Sequence, residues 1–383
     1  SNNTAVGSVA LQANTTGTSN TAVGHNSLPA NTTASGNTAL GKDVLVTNTT
    51  GTGNTGVGEG VHYSSNANYN TGIGWKVLHN NTGANNTGVG YSALIGNTTG
   101  QGGVAIGKGA LQSNTTGSYN TAIGNVAMLA NTTGAENVSM GTESLNANTT
   151  GSYNVAIGLN AMRLNTTASN NTAVGNQALE MNTTGASNTA FGQKALEANT
   201  TASNNTAIGR LALELNTTGA QNTAIGASAG GSITTGSYNQ SIGYNAQPLS
   251  ATTSNQFTLG DGNIGDLRCN DTSISGLSDQ RDKTEIVDSS YGLDFINTVQ
   301  PRQFKWATRE GNIKDGKTRL GFIAQELLTA CNGNNNVLDL VLGEGTDKME
   351  AKYGNLVPML VKAIQELSTK NDALVARITA LEG

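Results

Sequence analysis

The chain has 383 residues, of which 12% are charged and 4% aromatic, with 50 glycines, 4 prolines and a formal net charge of −5. Ordinary globular chains carry roughly 25% charged residues, so a large aromatic-rich core is excluded; no Gly-X-Y period runs through the chain and no apolar run nears the ~18 residues of a membrane span, which excludes collagen and membrane insertion. The acidic balance offers no basic stripe to displace phosphate counterions, so no nucleic-acid partner is expected.

Ser1 to Gly7 carry neither a charged nor an apolar leader stretch, so no secretion signal is expected and the chain reads as cut from something longer. Charge divides the sequence into two segments. Residues 1–277 hold 7 Lys/Arg and 10 Asp/Glu, whereas residues 278–383 hold 13 and 15, a roughly fourfold rise in density.

The first segment repeats itself. A glycine recurs from Gly7 through Gly24, Gly41 and onward to Gly260 at a 17-residue period, broken only by two 16-residue steps between Gly58 and Gly90. An apolar residue precedes it (Val23, Ile106, Ile157), an Asn stands four before it (Asn20, Asn120, Asn154), and Leu or Met stands four after it (Leu28, Met128, Leu179). Each copy reads N-T-A-[VI]-G-x-x-A-L-x-x-N-T-T-G-x-x. Glycine, β-branched residues and turn punctuation without a 3.6-residue stripe exclude helix.

Stacked at ~4.8 Å per coil, the Val/Ile and Leu/Met positions form continuous apolar ladders and the Asn of each N-T-T an amide ladder. About fifteen coils make a β-solenoid rod of ~70 Å. The fold class expected is mainly β: a parallel β-solenoid (β-roll) shaft over residues 1–254, a neck at 255–277, then a small α/β domain at 278–383. The repeats resemble the head repeats of trimeric autotransporter adhesins over residues 1 to about 248, in which N-S-V-A-I-G-like units form a left-handed parallel β-roll. N-T-T also fits the N-glycosylation pattern, but its phase with the repeat favours a turn role.

Two features interrupt the repeat. Between Gly58 and Gly107 stand His62, Tyr63, Tyr69, Trp75, His79 and Tyr91 where small residues are usual. Aromatic faces combine apolar area with little entropy to lose, so Trp75, His79 and Tyr91 are candidate contacts for a host-cell receptor, a glycan, against the plainer reading that they fill gaps left by short coils. Glu180, Glu197 and Glu214 stack along one edge near the carboxylate spacing of retaining glycosidases, yet nothing in the sequence separates their environments, and a solvated ladder is expected. Asp261 to Asp266 is read as a tight turn rather than a calcium loop.

After the neck, Ser278-Asp279-Gln280-Arg281-Asp282-Lys283 opens a stretch continued by Gly292 to Ile296, Phe304-Lys305-Trp306, Gly321-Phe322-Ile323-Ala324-Gln325-Glu326 and Tyr353 to Pro358. It resembles the endosialidase-type C-terminal intramolecular chaperone, a self-cleaving serine peptidase that ends many phage tail fibres and tailspikes. The resemblance implies a Ser278 nucleophile, a Lys283 base and a cut at Leu277-Ser278. A serine needs a proton acceptor near neutral pH, and lysine serves only where burial or a nearby cation lowers its pKa. Cys269 and Cys331 are read as inert thiols, and neither metal nor cofactor is expected.

Leu360, Ile364, Leu367, Asn371, Leu374, Ile378 and Leu381 alternate steps of four and three, a coiled coil over about 355–383. Ile at a, Leu at d and one polar Asn371 favour two strands. The resemblance implies three, and three is taken because the seam is short and the preceding domain imposes its own symmetry. The function expected is a bacteriophage fibre or adhesin in the virion: a homotrimeric shaft for host attachment, assembled by a chaperone that then releases itself. Self-cleavage is the single enzymatic activity expected. The alternatives are a tailspike polysaccharide depolymerase, a purely structural spacer, or a cellular surface fibre.

Overall fold

The computed structural model describes residues 2–261, 263–264, 278–307, 316–344 and 349–382, and the chain divides into two compact units at Asp261/Gly262. The first is a β-solenoid. Sixteen strands, from β1 (Thr4–Val6) to β16 (Phe257–Leu259), form one parallel sheet in sequence order, one strand per coil. Register is exact to the repeat, as in Thr189↔Thr206, Ala190↔Ala207 and Phe191↔Ile208. The pairing of β16 with β15 (Gln240–Ile242) carries the period into the first residues of the expected neck.

Each T-A-[VI] strand alternates, and the coil is so narrow that only its central alanine points inward: Ala22, Ala105, Ala156 and Ala207 are fully buried. Opposite stand a second alanine and the Leu or Met, such as Ala178 with Leu179, also fully buried. The core is therefore an Ala–Ala–Leu column. The expected Val/Ile ladder forms, and it faces outward: Val6, Leu40, Ile73, Ile106, Met140, Ile157, Phe191, Ile208, Ile225 and Leu259 are all exposed.

Turn chemistry closes each coil. The repeat glycine has φ between 114° and 144° over most of the rod, and a Cβ on Gly41 would land on the carbonyl oxygen of Gly58, so no side chain fits. The buried Leu is itself left-handed (Leu28 φ 51°, Leu196 φ 54°). That conformation costs a residue with Cβ about 1–2 kcal/mol. Burying the side chain gives back about 1.5–3 kcal/mol, and its N–H bonds the next coil, Leu196 to the Ala212 carbonyl at 3.0 Å.

Two buried amide ladders run the rod. In the N-T-T triplets Asn131 Nδ2 donates to Asn114 Oδ1 at 2.8 Å and to the Gly134 carbonyl at 2.9 Å, the ladder expected from sequence. Its burial leaves no room for a glycan. In the second, unanticipated ladder, the Asn before each strand accepts the backbone N–H of its counterpart one coil on, Asn137 Oδ1 from Asn154 at 2.9 Å, while Asn137 Nδ2 donates to the Gly151 carbonyl at 2.9 Å.

The irregular coils repack this core. Strands β3 (Thr38–Lys42), β4 (Thr55–Glu59), β5 (Thr71–Trp75) and β6 (Thr87–Tyr91) have five residues where every other strand of the sheet has three. Gly56, Gly72 and Gly88 take the inward alanine's place while Val44, Val61 and Val77 fill the space, so that a Cβ on Gly72 would lie 2.6 Å from Val61 Cγ1. The exchange of Ala–Ala for Gly–Val moves side-chain volume from one wall of the coil to the other, with one carbon added net. His62 occupies a leucine position, fully buried, with neither ring nitrogen in hydrogen-bond geometry with a partner. Burial pushes its pKa down to about 4, opposed in part by the Thr55 backbone.

The second unit is a small α/β assembly. Strands β17 (Arg302–Phe304) and β18 (Arg319–Gly321) pair antiparallel, as do β19 (Val341–Leu342) and β20 (Glu350–Ala351). Around them pack α1 (Leu293–Ile296), α2 (Ala324–Cys331), α3 (Asn335–Leu338) and the 26-residue α4 (Val357–Glu382). Its core joins Val299, Leu327, Cys331, Leu338, Leu340 and Met359. Glu366 on α4 accepts the Leu293 N–H at 2.8 Å, a side-chain cap for α1. Beyond that point α4 leaves the core: Leu367, Leu374, Ile378 and Leu381 are all exposed.

Candidate active site

The residues singled out at the start of the second unit form one compact turn. Asp279 has extended backbone (φ −67°, ψ 136°) and caps a 3-10 turn at Gln280–Asp282, its Oδ1 accepting the Arg281 N–H at 2.8 Å. The Asp282 N–H then bonds the Asp279 carbonyl at 3.2 Å, and the Lys283 N–H bonds the Gln280 carbonyl at 3.1 Å. Five residues fold back on themselves, and Lys283 Nζ donates to Ser278 Oγ at 2.5 Å.

The turn is held by an ion pair that sequence reasoning passed over. Arg281 grips the Asp279 carboxylate with Nη2 at 2.6 Å and Nε at 3.0 Å, which holds the Asp279 carboxyl below its usual range and the Arg281 guanidinium above its own. Residues 278–283 are all exposed in the single chain. Among the described residues nothing buries the Lys283 amine, and the neighbouring Arg281 in the chain is already paired with Asp279. Leu277 lies outside the described residues.

The remaining motif residues build the unit around this turn. Arg302 meets Glu326 with two 2.9 Å bonds, tying β17 to α2 and holding the Glu326 carboxyl below its usual range. Tyr353 packs edge-on against Phe322 at 5.3 Å and accepts its N–H at 3.2 Å. A Cβ on Gly321 would lie 2.7 Å from the Tyr353 hydroxyl, so that contact requires glycine. Lys352 and Asn355 both bond Asp339, at 2.7 Å to its carboxylate and its carbonyl.

Residues 278–335 match the family described as chaperone of endosialidase. The match opens on Ser278 and runs through the Asp279–Arg281 turn, Arg302 and Glu326, all within this intramolecular chaperone segment. No curated protein and no solved structure matches the chain.

Four rings of the irregular coils form two stacks. Trp75 and Tyr91 lie face to face, centroids 4.6 Å apart and planes 9° off parallel, and Tyr63 stacks on His79 at 5.0 Å. Val44, Val61, Val77 and His62 fill the core of these coils, Trp75 is half-buried, and Tyr91 is 52% exposed. Tyr69 and Tyr119 are different, their rings lying over Gly53 and Gly102 of the preceding coil, a packing role that recurs along the rod. On the acidic edge Glu180 is held by Arg163 at 2.9 Å and Gln177 at 2.7 Å, and Glu197 by Lys194 at 3.1 Å. Glu180 and Glu197 are thus both tied up in ion pairs and are not set up as the free acid and base that hydrolysis requires.

Proposed function

We propose that this chain is a homotrimeric fibre shaft of the phage tail-fibre kind, used for host attachment, whose C-terminal chaperone aligns three chains and then cuts itself free between Leu277 and Ser278. The observation that carries this reading is the contact of Lys283 Nζ with Ser278 Oγ at the first residue of the chaperone match. In the cleavage step Ser278 Oγ attacks the Leu277 carbonyl carbon while Lys283 Nζ, as the free amine, takes the hydroxyl proton. Collapse of the tetrahedral adduct breaks the Leu277–Ser278 amide, its nitrogen leaving with a proton, and water later hydrolyses the ester so formed.

Two exposed surfaces support assembly. The outward Val/Ile ladder runs the length of the rod, ~70 Å at 4.8 Å per coil, longer than a monomer ordinarily leaves to water. The α4 seam is exposed in the same way. A repeat also pairs one coil out of step at almost no energetic cost, so three chains require a separate aligning device. Association of chaperone segments supplies it and covers the exposed Ser278–Lys283 turn, the desolvation that makes Lys283 a base. Cleavage is thereby coupled to trimer formation, and loss of the aligning unit leaves the rod kinetically trapped. Ser278→Ala and Lys283→Ala are expected to give full-length trimer on denaturing gels and by light scattering, where wild type gives two fragments. Cleavage persisting in either variant removes the dyad.

A further inference from the structure

We propose that the irregular coils of the shaft carry a saccharide-binding site for an acidic sugar, built from Trp75, Lys76, His79, Tyr91 and Lys108 around Gly60. This rests on the host-attachment reading and gives it a location and a ligand class. The site follows the corner glycines Gly58, Gly74 and Gly90 in the chain, whereas the outward Val/Ile column precedes them. A trimer closed through that column leaves this side open.

Its parts touch. Lys76 Nζ sits 4.5 Å over the Trp75 ring, whose other neighbour is Tyr91. His79 Nδ1 meets the Gly60 carbonyl at 2.8 Å; donating there leaves Nε2 as an acceptor for a sugar hydroxyl. Gly60 keeps the floor bare, since a Cβ would lie 3.3 Å from Lys76 Cγ and 3.6 Å from His79 Nδ1. The Gly109 N–H bonds the Tyr91 carbonyl at 2.9 Å, which sets Lys108 one coil beyond Tyr91. The exposed Tyr91 offers a flat, rigid apolar surface for the C–H face of a pyranose.

Charge selects the sugar. Glu59, the acid of this register column, pairs with Lys42 at 3.1 Å, and Asp43 of the neighbouring column is met by Asn26 at 2.7 Å and by Lys42 at 3.9 Å, while Lys76 and Lys108 have no ion pair among the described residues. Two cations beside an aromatic platform complement a carboxylate on the ring.

The test is an array of defined neutral and uronate-containing oligosaccharides probed with the purified full chain. Binding to uronate-containing members is expected, weakened roughly tenfold or more by Tyr91→Ala or Trp75→Ala, weakened and made salt-insensitive by Lys76→Met with Lys108→Gln, and retained by the platform-preserving Trp75→Phe/Tyr91→Phe pair. Unchanged melting temperature in the lysine variants separates lost contact from lost fold. Absence of binding, binding to neutral members alone, or binding indifferent to these substitutions overturns the proposal. Light scattering on the same sample distinguishes this from failure of the fibre reading: a trimer that binds no sugar refutes the site, a monomer refutes the assembly.

Discussion

His62 offers a quantitative check on the irregular coils. Its imidazole is fully buried at a leucine position and titrates near pH 4, against 6.5 when free in water. Between those values the unfolded chain binds a proton that the folded chain refuses. Stability is therefore complete above pH 6.5 and falls as pH drops toward 4, and a separation of about two to three pKa units amounts to ~3 kcal/mol. His62→Leu restores the column residue of the regular coils, removes that pH dependence and relieves an unpartnered buried polar group, a gain of ~1–3 kcal/mol at neutral pH. Denaturant melts of wild type and His62→Leu at pH 7.5 and 4.5 measure the difference, with amide exchange locating it to residues 55–75. Other titrating groups cancel in the comparison. If both proteins lose stability in parallel, His62 is not held neutral in the core.

Three further perturbations test the shaft. Gly72→Ala overfills the space against Val61 and is expected to cost ~1–3 kcal/mol, with Val61→Ala in the same chain restoring most of it; additive losses in thermal melts would contradict the volume exchange. Asn137→Ala strands the buried Asn154 N–H, while the Gly151 carbonyl keeps Asn148 Nδ2 at 2.9 Å, and is expected to cost ~2 kcal/mol by denaturant titration, well beyond a surface substitution. Ile157→Asp with Ile208→Asp, on the outward ladder, is expected to leave circular dichroism unchanged while light scattering shows association lost; an intact oligomer would move the interface elsewhere.

The period, the strand positions and the N-T-T amide ladder were legible because a 17-residue recurrence of glycine, β-branched residue and asparagine admits few other arrangements. Which side of the strand is core was not. In T-A-V, valine is the more apolar flank, and only the width of the finished coil shows that alanine alone fits inside opposite leucine. The left-handed backbone of Leu28 and its counterparts was equally hidden, since isolated leucine avoids φ near 50° and accepts it only under tertiary burial. The Asn20-to-Asn239 ladder was visible as a recurrence but not as a hydrogen-bond donor and acceptor series. At the candidate site, Ser278 and Lys283 came from resemblance. The Asp279–Arg281 clamp was adjacent in sequence yet indistinguishable from a solvated charge run, and Arg302–Glu326 joins residues 24 apart that only the fold brings together.

Native mass spectrometry of the purified protein tests most directly whether a chaperone assembles the shaft and then leaves it. The predicted result is a complex of three shaft chains each ending at Leu277, with a separate fragment beginning at Ser278. A monomer, an intact 383-residue chain within a formed trimer, or a fragment beginning at another residue would contradict it.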